Sequence, residues 1–221
     1  MKSRGKRIDK GAQLNQNNSF KRKLMDDSQD LATLTVAATL GDEAAMRILF
    51  QQFVDQKIPI VVVLEVLLQT ALFAGVPRCL NAFRIFHHTL EKMEDVNGLE
   101  DSYQFTVVDP QKSGAEVFEK VYGDKHFFLK DVLNEWHPAL KKWIISAAYG
   151  EILSRPFLEL KQREICAVAA LTALNLPLQL RGHMKGALRQ GVKKKELIAL
   201  IEFLNTDHKV MALEMLSGMD A

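Results

Sequence analysis

The sequence predicts an all-α protein. Apolar residues recur at spacings of three and four along almost every segment, and no run alternates with period two for long enough to build a sheet. Glycine and proline punctuate the chain at intervals that suit helices.

In chain order, residues 1–25 are polar and basic, with few aromatic or β-branched side chains, and read as a disordered tail; an anionic docking arm is the sharper alternative. No apolar stretch follows the early charges, so a secretory signal is excluded and a cytoplasmic protein is expected. Helical periodicity runs from Leu31 to Phe53 with an interruption at Gly41-Asp42. Pro59 opens a long apolar helix ending around Gly75. Only Glu65 is charged in 58–76, but Gln69 and Thr70 are polar and no basic loop flanks the segment closely. It therefore reads as a buried core helix and not as a membrane span. Val76-Pro77 restarts a helix to about Met93.

The polar stretch that follows holds Asn97-Gly98, Asp109-Pro110 and Ser113-Gly114, all turn signals, so a linker is placed at 96–114. It separates a first helical domain, 26–95, from a second, 115–221. The second begins with a helix from Ala115 to Tyr122, closed by Gly123, and continues with helices near Phe127–Asn134 and Pro138–Tyr149. Gly150 to Pro156 breaks the pattern. A helix containing Glu164, a short break with Pro177 and a helix containing His183 come next, with Gly191 as C-terminal cap. A last helix starts near Lys194.

Composition narrows the function. Hydrophobic content of 48%, charged content of 25% and a net charge of +2 suit a soluble globular protein and suggest neither nucleic acid nor membrane as partner. The two cysteines, Cys79 and Cys166, form no CxxC pair, which argues against a disulfide scaffold, a dithiol redox motif and a metal site. Both lie in apolar helical stretches and read as buried thiols.

A weak repeat links the halves. The register that lays Asp30 on Glu164 also lays Leu40 on Leu174, Met46 on Leu180, Arg47 on Arg181 and Ile58 on Val192. It lays Leu49 on His183, so the first copy keeps a carboxylate and lacks the imidazole.

A carboxylate and an imidazole on paired helices are the minimum equipment for moving a proton. Against that stands a plain reading of each. His183 shares an apolar side with Leu180, Met184 and Ala187, as a core histidine would, while Gly182 and Gly186 invite a close helix. Glu164 lies near a helix start, where the macrodipole favours an acid, and Lys161 and Arg163 beside it suggest a solvated face. Glu164 lies roughly 15 Å from the turn and His183 only about 8 Å, so a simple hairpin leaves them offset.

The pattern YG-x₃-SRP-x-L-x₂-K-x-RE, then an apolar helix, then QLRGH-x₃-AL-x₂-G, resembles the carboxymuconolactone decarboxylase family, an alkylhydroperoxidase-D-like all-α fold. The segment Leu67-Leu68-Gln69, Ala71, Phe73-Ala-Gly-Val-Pro77 and Leu80-Asn-Ala-Phe83 resembles the family's closing element. That element is missing after the second copy, where Asp207-His208-Lys209-Val210 stands. The family's peroxidase branch carries two cysteines between the glutamate and the histidine; here those positions are Leu176 and Gln179, so thiol peroxidase chemistry is disfavoured.

The resemblance implies a cofactor-free lyase, with no metal, acting on a small anionic lactone or carboxylate. His183 is then the acid/base, Glu164 its orienting partner, and Arg155, Arg163 and Arg181 hold substrate carboxylates. It also implies an oligomer, a trimer of two-domain chains in place of a hexameric ring. A non-catalytic scaffold of the same fold stays open beside it.

Overall fold

The structure, a computed structural model, describes residues 28–92 and 104–219, and among these it is helical with no strand. The basic tail at 1–25 and the stretch 96–103 of the expected linker lie outside the described residues.

Among the described residues the first half has three helices. Residues 28–40 form one, and Gly41 turns the chain in the left-handed region at φ 77°. Asp42 then caps the helix Glu43–Asp55, its carboxylate accepting the Ala45 N–H at 3.0 Å. The long helix Ile60–Leu90 follows Pro59 and is broken at Gly75, where φ is 81° and ψ is 164°. The pause and restart expected at Gly75 to Pro77 are therefore a kink within one long element. By length and composition this helix could cross a membrane. Val63, Leu64, Val66 and Leu67 on it are buried in the first core cluster.

The second half starts inside the expected linker. The carboxylate of Asp109 accepts the Lys112 N–H at 3.0 Å, and Pro110 takes the first turn of the helix Pro110–Tyr122. A donor-less residue is well suited there, so the Asp-Pro signal marks a helix start and not a turn. Ser113-Gly114, likewise expected as a turn, lies within this helix. A Cβ on Gly114 would overlap the Ile145 carbonyl, and one on Gly150 would overlap the Pro110 carbonyl. Two glycines thus let two backbones touch.

The helices His126–Trp136 and Pro138–Lys142 follow, then a π-helical stretch, Trp143–Leu153, which carries the wide turns through the expected break at Gly150. The helices Leu160–Ala173, Pro177–Arg189, Lys194–Phe203 and Lys209–Ser217 complete the fold; the last was not expected from the sequence.

The cores cross the boundary between the halves. Leu158 and Cys166 belong to the cluster built by the first three helices. Ala32 and Val36 belong to the cluster of the last four. A third cluster, around Phe118, Val121, Ile145 and Tyr149, joins the Pro110 helix to the π-helix. Burying a side chain such as Leu158 or Val36 is worth roughly 1.5–3 kcal/mol, so neither half keeps its full core alone.

Candidate functional site

The site is built on the hairpin of the helices Leu160–Ala173 and Pro177–Arg189. Asn175 closes the first of these in the left-handed region at φ 55°. Its N–H reaches the Thr172 carbonyl and the Leu176 N–H reaches the Leu171 carbonyl, both at 3.1 Å. This double closure satisfies the orphaned carbonyls of the last turn. Pro177 then starts the return helix in the next step. Gly191, at φ 86°, ends that helix in the same way, as its sequence position predicts.

The hairpin brings Glu164 and His183 into direct contact. Nδ1 of His183 lies 3.1 Å from Oε2 of Glu164. The offset expected from axial distances is closed by Gly186. Counted from Pro177, Gly186 lies roughly 14 Å along its helix, level with Glu164. A Cβ at Gly186 would overlap Glu164 Oε2. With no side chain there, the carboxylate lies along the helix surface and reaches back one turn to the imidazole.

The solvated face expected around Lys161 and Arg163 is not found: both Arg163 and Glu164 are 0% exposed. The carboxylate accepts the Nδ1 proton, which leaves Nε2 to act as base when the ring is neutral and as acid when it is charged. Nε2 has no hydrogen bond to the described residues. The second carboxylate oxygen, Oε1, is buried without a partner.

Three aromatic residues that the sequence reading did not assign to the site surround the pair. The Phe73 ring meets His183 edge-on with centroids 5.8 Å apart, and Tyr122 does so at 6.3 Å. The Tyr149 hydroxyl donates to the Tyr122 hydroxyl at 3.1 Å. Burial pushes the Tyr122 hydroxyl above its ordinary 10.0; the Tyr149 hydrogen bond opposes this and the Glu164 charge adds to it. Burial raises Tyr149 well above the same value, with Tyr122 and Glu164 adding to the rise. Both phenols stay protonated, and Tyr122, having accepted from Tyr149, keeps its own proton to give.

Phe73 belongs to the long helix of the first half, so the first half completes the surroundings of the second half's histidine. The sequence carried a signal: Glu65, Gln69 and Phe73 recur at spacing four and share a helix face.

The arginines do not converge. Arg163 donates through Nη2 to Glu65 Oε2 at 2.8 Å and to the Arg155 carbonyl at 2.9 Å. Gln69 donates to the Arg163 carbonyl at 2.8 Å. Arg155 donates through Nε to Glu65 Oε1 at 2.7 Å, with its guanidinium over the rings of Phe105 and Phe157. The two expected substrate ligands thus form an ion cluster across the halves, because only a buried countercharge makes a buried guanidinium tolerable. Arg181 is different. It is exposed and lines a cavity of about 470 Å³ whose wall includes Tyr122 and Gly182. Among the described residues, no three His, Cys, Asp or Glu side chains gather as a metal site would require.

The match to a family model falls on this half. The model of the carboxymuconolactone decarboxylase family matches residues 138–214. Over 91 residues the chain is 36% identical to 4-carboxymuconolactone decarboxylase of Acinetobacter baylyi, covering 41% of this chain and 68% of that protein. Over 144 residues it is 26% identical to Peroxisomal protein 2 of Schizosaccharomyces pombe, covering 61% of this chain and 63% of that protein.

Proposed function

The chain belongs to the carboxymuconolactone decarboxylase family, and on that premise we propose that Glu164 and His183 are the proton-transfer pair of a cofactor-independent lyase acting on a small anionic lactone or carboxylate. The observation that carries this reading is the buried hydrogen bond between them, with Nε2 left without a partner among the described residues. A carboxylate that fixes the tautomer and steadies the imidazolium is the arrangement general acid–base catalysis needs.

The chemistry follows from the substrate class. The bond between a carboxylate carbon and the ring carbon breaks, CO₂ leaves, and the electron pair delocalises onto the lactone carbonyl. The substrate is its own electron sink. The imidazolium Nε2–H returns a proton to carbon, and solvent reprotonates the ring after product leaves. The Tyr122 proton, held in place by the hydrogen bond from Tyr149, is suited to the oxyanion as charge develops. Arg181 on the cavity wall is suited to a substrate carboxylate. Arg155 and Arg163 drop out as ligands, since Glu65 occupies both.

The test is CO₂ release from 4-carboxymuconolactone and related lactone acids. His183→Ala is expected to lower turnover by about 10²–10⁴-fold, the usual worth of a positioned acid/base. A loss under about tenfold, with the fold intact, refutes the role. The competing reading, a non-catalytic scaffold, draws on the 6% exposure of His183; it requires that none of these substrates turns over.

The proposal extends to the architecture. The helix pair 28–40 and Glu43–Asp55, joined at left-handed Gly41, echoes the pair joined at left-handed Asn175, which supports a tandem origin with a degenerate first copy. Exposed Phe127, Phe128 and Trp143 support self-association, with a trimer as the form to look for by sedimentation.

A further inference from the structure

Beside the Glu164–His183 pair, the cavity of about 470 Å³ has a composition the reaction alone does not require. Its bed is apolar: Phe118, Leu129, Leu133, Trp136, Ile144 and Leu178 all face it. Its ionisable lining is all cationic apart from Tyr122, namely Lys125, Arg181, Lys185 and Arg189. Arg189 is held by its bond to the Val121 carbonyl at 2.8 Å. Among the described residues, Lys125, Arg181 and Lys185 have no ion pair or side-chain hydrogen bond, and no acid lines the cavity. Trp136 and Leu178 are 69% and 77% exposed, which leaves a large apolar surface wet.

Pockets of this volume hold small molecules, and their few polar groups fix which end goes where. An occupant must offer apolar area for the bed and negative charge for the rim. A compact dicarboxylate satisfies only the rim, and a neutral oil only the bed.

We propose that this cavity binds the body of an amphipathic monocarboxylate of medium length, its carboxylate held by Arg181 and Lys185 and its apolar body lying on Trp136, Leu133 and Leu178. The inference deepens the reading of Glu164–His183 as the reacting pair and rests on it for the fate of the ligand. Tyr122 and Gly182 are the shared wall: the Tyr122 ring also meets His183, and Gly182 precedes it in the chain. The substrate class is thereby shifted from small polar acids towards acids with an aliphatic or aromatic body.

Tryptophan emission tests it. The chain has two tryptophans, so a Trp143→Phe background leaves Trp136, in the cavity wall, as sole reporter. Titration with octanoate, octanol and acetate separates body from charge. Octanoate is expected to give a saturable change. Octanol should bind about tenfold more weakly, the worth of one charge-assisted hydrogen bond, and acetate should give no change. Arg181→Gln combined with Lys185→Gln should weaken octanoate by at least that factor and leave octanol unaffected. Equal binding of octanol and octanoate, no saturable change, or octanoate binding indifferent to the double variant would each overturn the proposal. So would a Trp136 emission change that depends on protein concentration and is abolished by Leu178→Arg, which would mean a second copy covers the cavity. His183→Ala should bind octanoate as the parent does. Binding without turnover of any acid then refutes the reaction alone, and turnover of compact lactones without octanoate binding refutes the cavity assignment alone.

Discussion

Removing the Glu65 carboxylate should destabilise the protein more than any surface change. Its two oxygens each hold a guanidinium, Arg155 at 2.7 Å and Arg163 at 2.8 Å. The side chain of Arg163 is 0% exposed and that of Arg155 only 10%, so neither charge can rehydrate without the helices parting. Arg163 is already short of partners, since its Nε has none. In Glu65→Ala it keeps the Arg155 carbonyl at 2.9 Å and a long contact to Gln69 at 3.4 Å, both neutral acceptors.

Breaking one side of a buried pair costs roughly 3–5 kcal/mol, because the remaining charge is left desolvated. Glu65→Gln, which keeps the shape and loses the charge, should fall between. Replacing Glu65 and Arg163 together by leucine and methionine should recover the part of the loss owed to Arg163, while Arg155, 10% exposed, still lacks its carboxylate. Urea unfolding of the four proteins at neutral pH measures all of this. A Glu65→Ala cost below about 1 kcal/mol, the range of an exposed pair, would refute the claim that this cluster is dry and joins the halves. The consequence for function is positional. Arg163 precedes Glu164 on one helix turn, so loosening this anchor should also lower turnover through a misplaced Glu164, with little change in substrate affinity.

Two further changes test the site's surroundings. Gly186→Ala would drive a Cβ into Glu164 Oε2 and crowd Val121; we expect about 1–3 kcal/mol of lost stability and a larger fall in turnover, read by urea unfolding and CO₂ release. Burial pushes the Cys166 thiol from an ordinary 9.0 to about 11. A raised folded value means stability present below about 9 and lost as pH climbs through about 11. At 1.36 kcal/mol per unit this is at most ~3 kcal/mol, seen as an alkaline fall in the urea midpoint that is shallower in Cys166→Ala. In the native protein the same thiol should resist alkylation at mildly alkaline pH, because little of it is thiolate.

Residue order alone was enough for the all-α class, the helix pair and the identity of its two polar residues. These depend on short-range rules: periodicity decides which segments coil, and Gly41, Pro59, Pro177 and Gly191 decide where they start and stop. Punctuation misled where a glycine serves contact between helices and not a turn. Gly114 and Gly150 look the same in sequence as Gly191, and only the helix packed against each distinguishes them.

The site itself belongs to the tertiary structure. Axial arithmetic left Glu164 and His183 apart, because the reach of a carboxylate across bare Gly186 is a matter of packing. Arg163 and Arg155 read as ligands until Glu65, far away in the chain, was found between them. Phe73 and Tyr122 reach His183 from elements distant in sequence. Local rules say which face of a helix is apolar, but which partner covers that face depends on how all the buried surface and charge can be satisfied together.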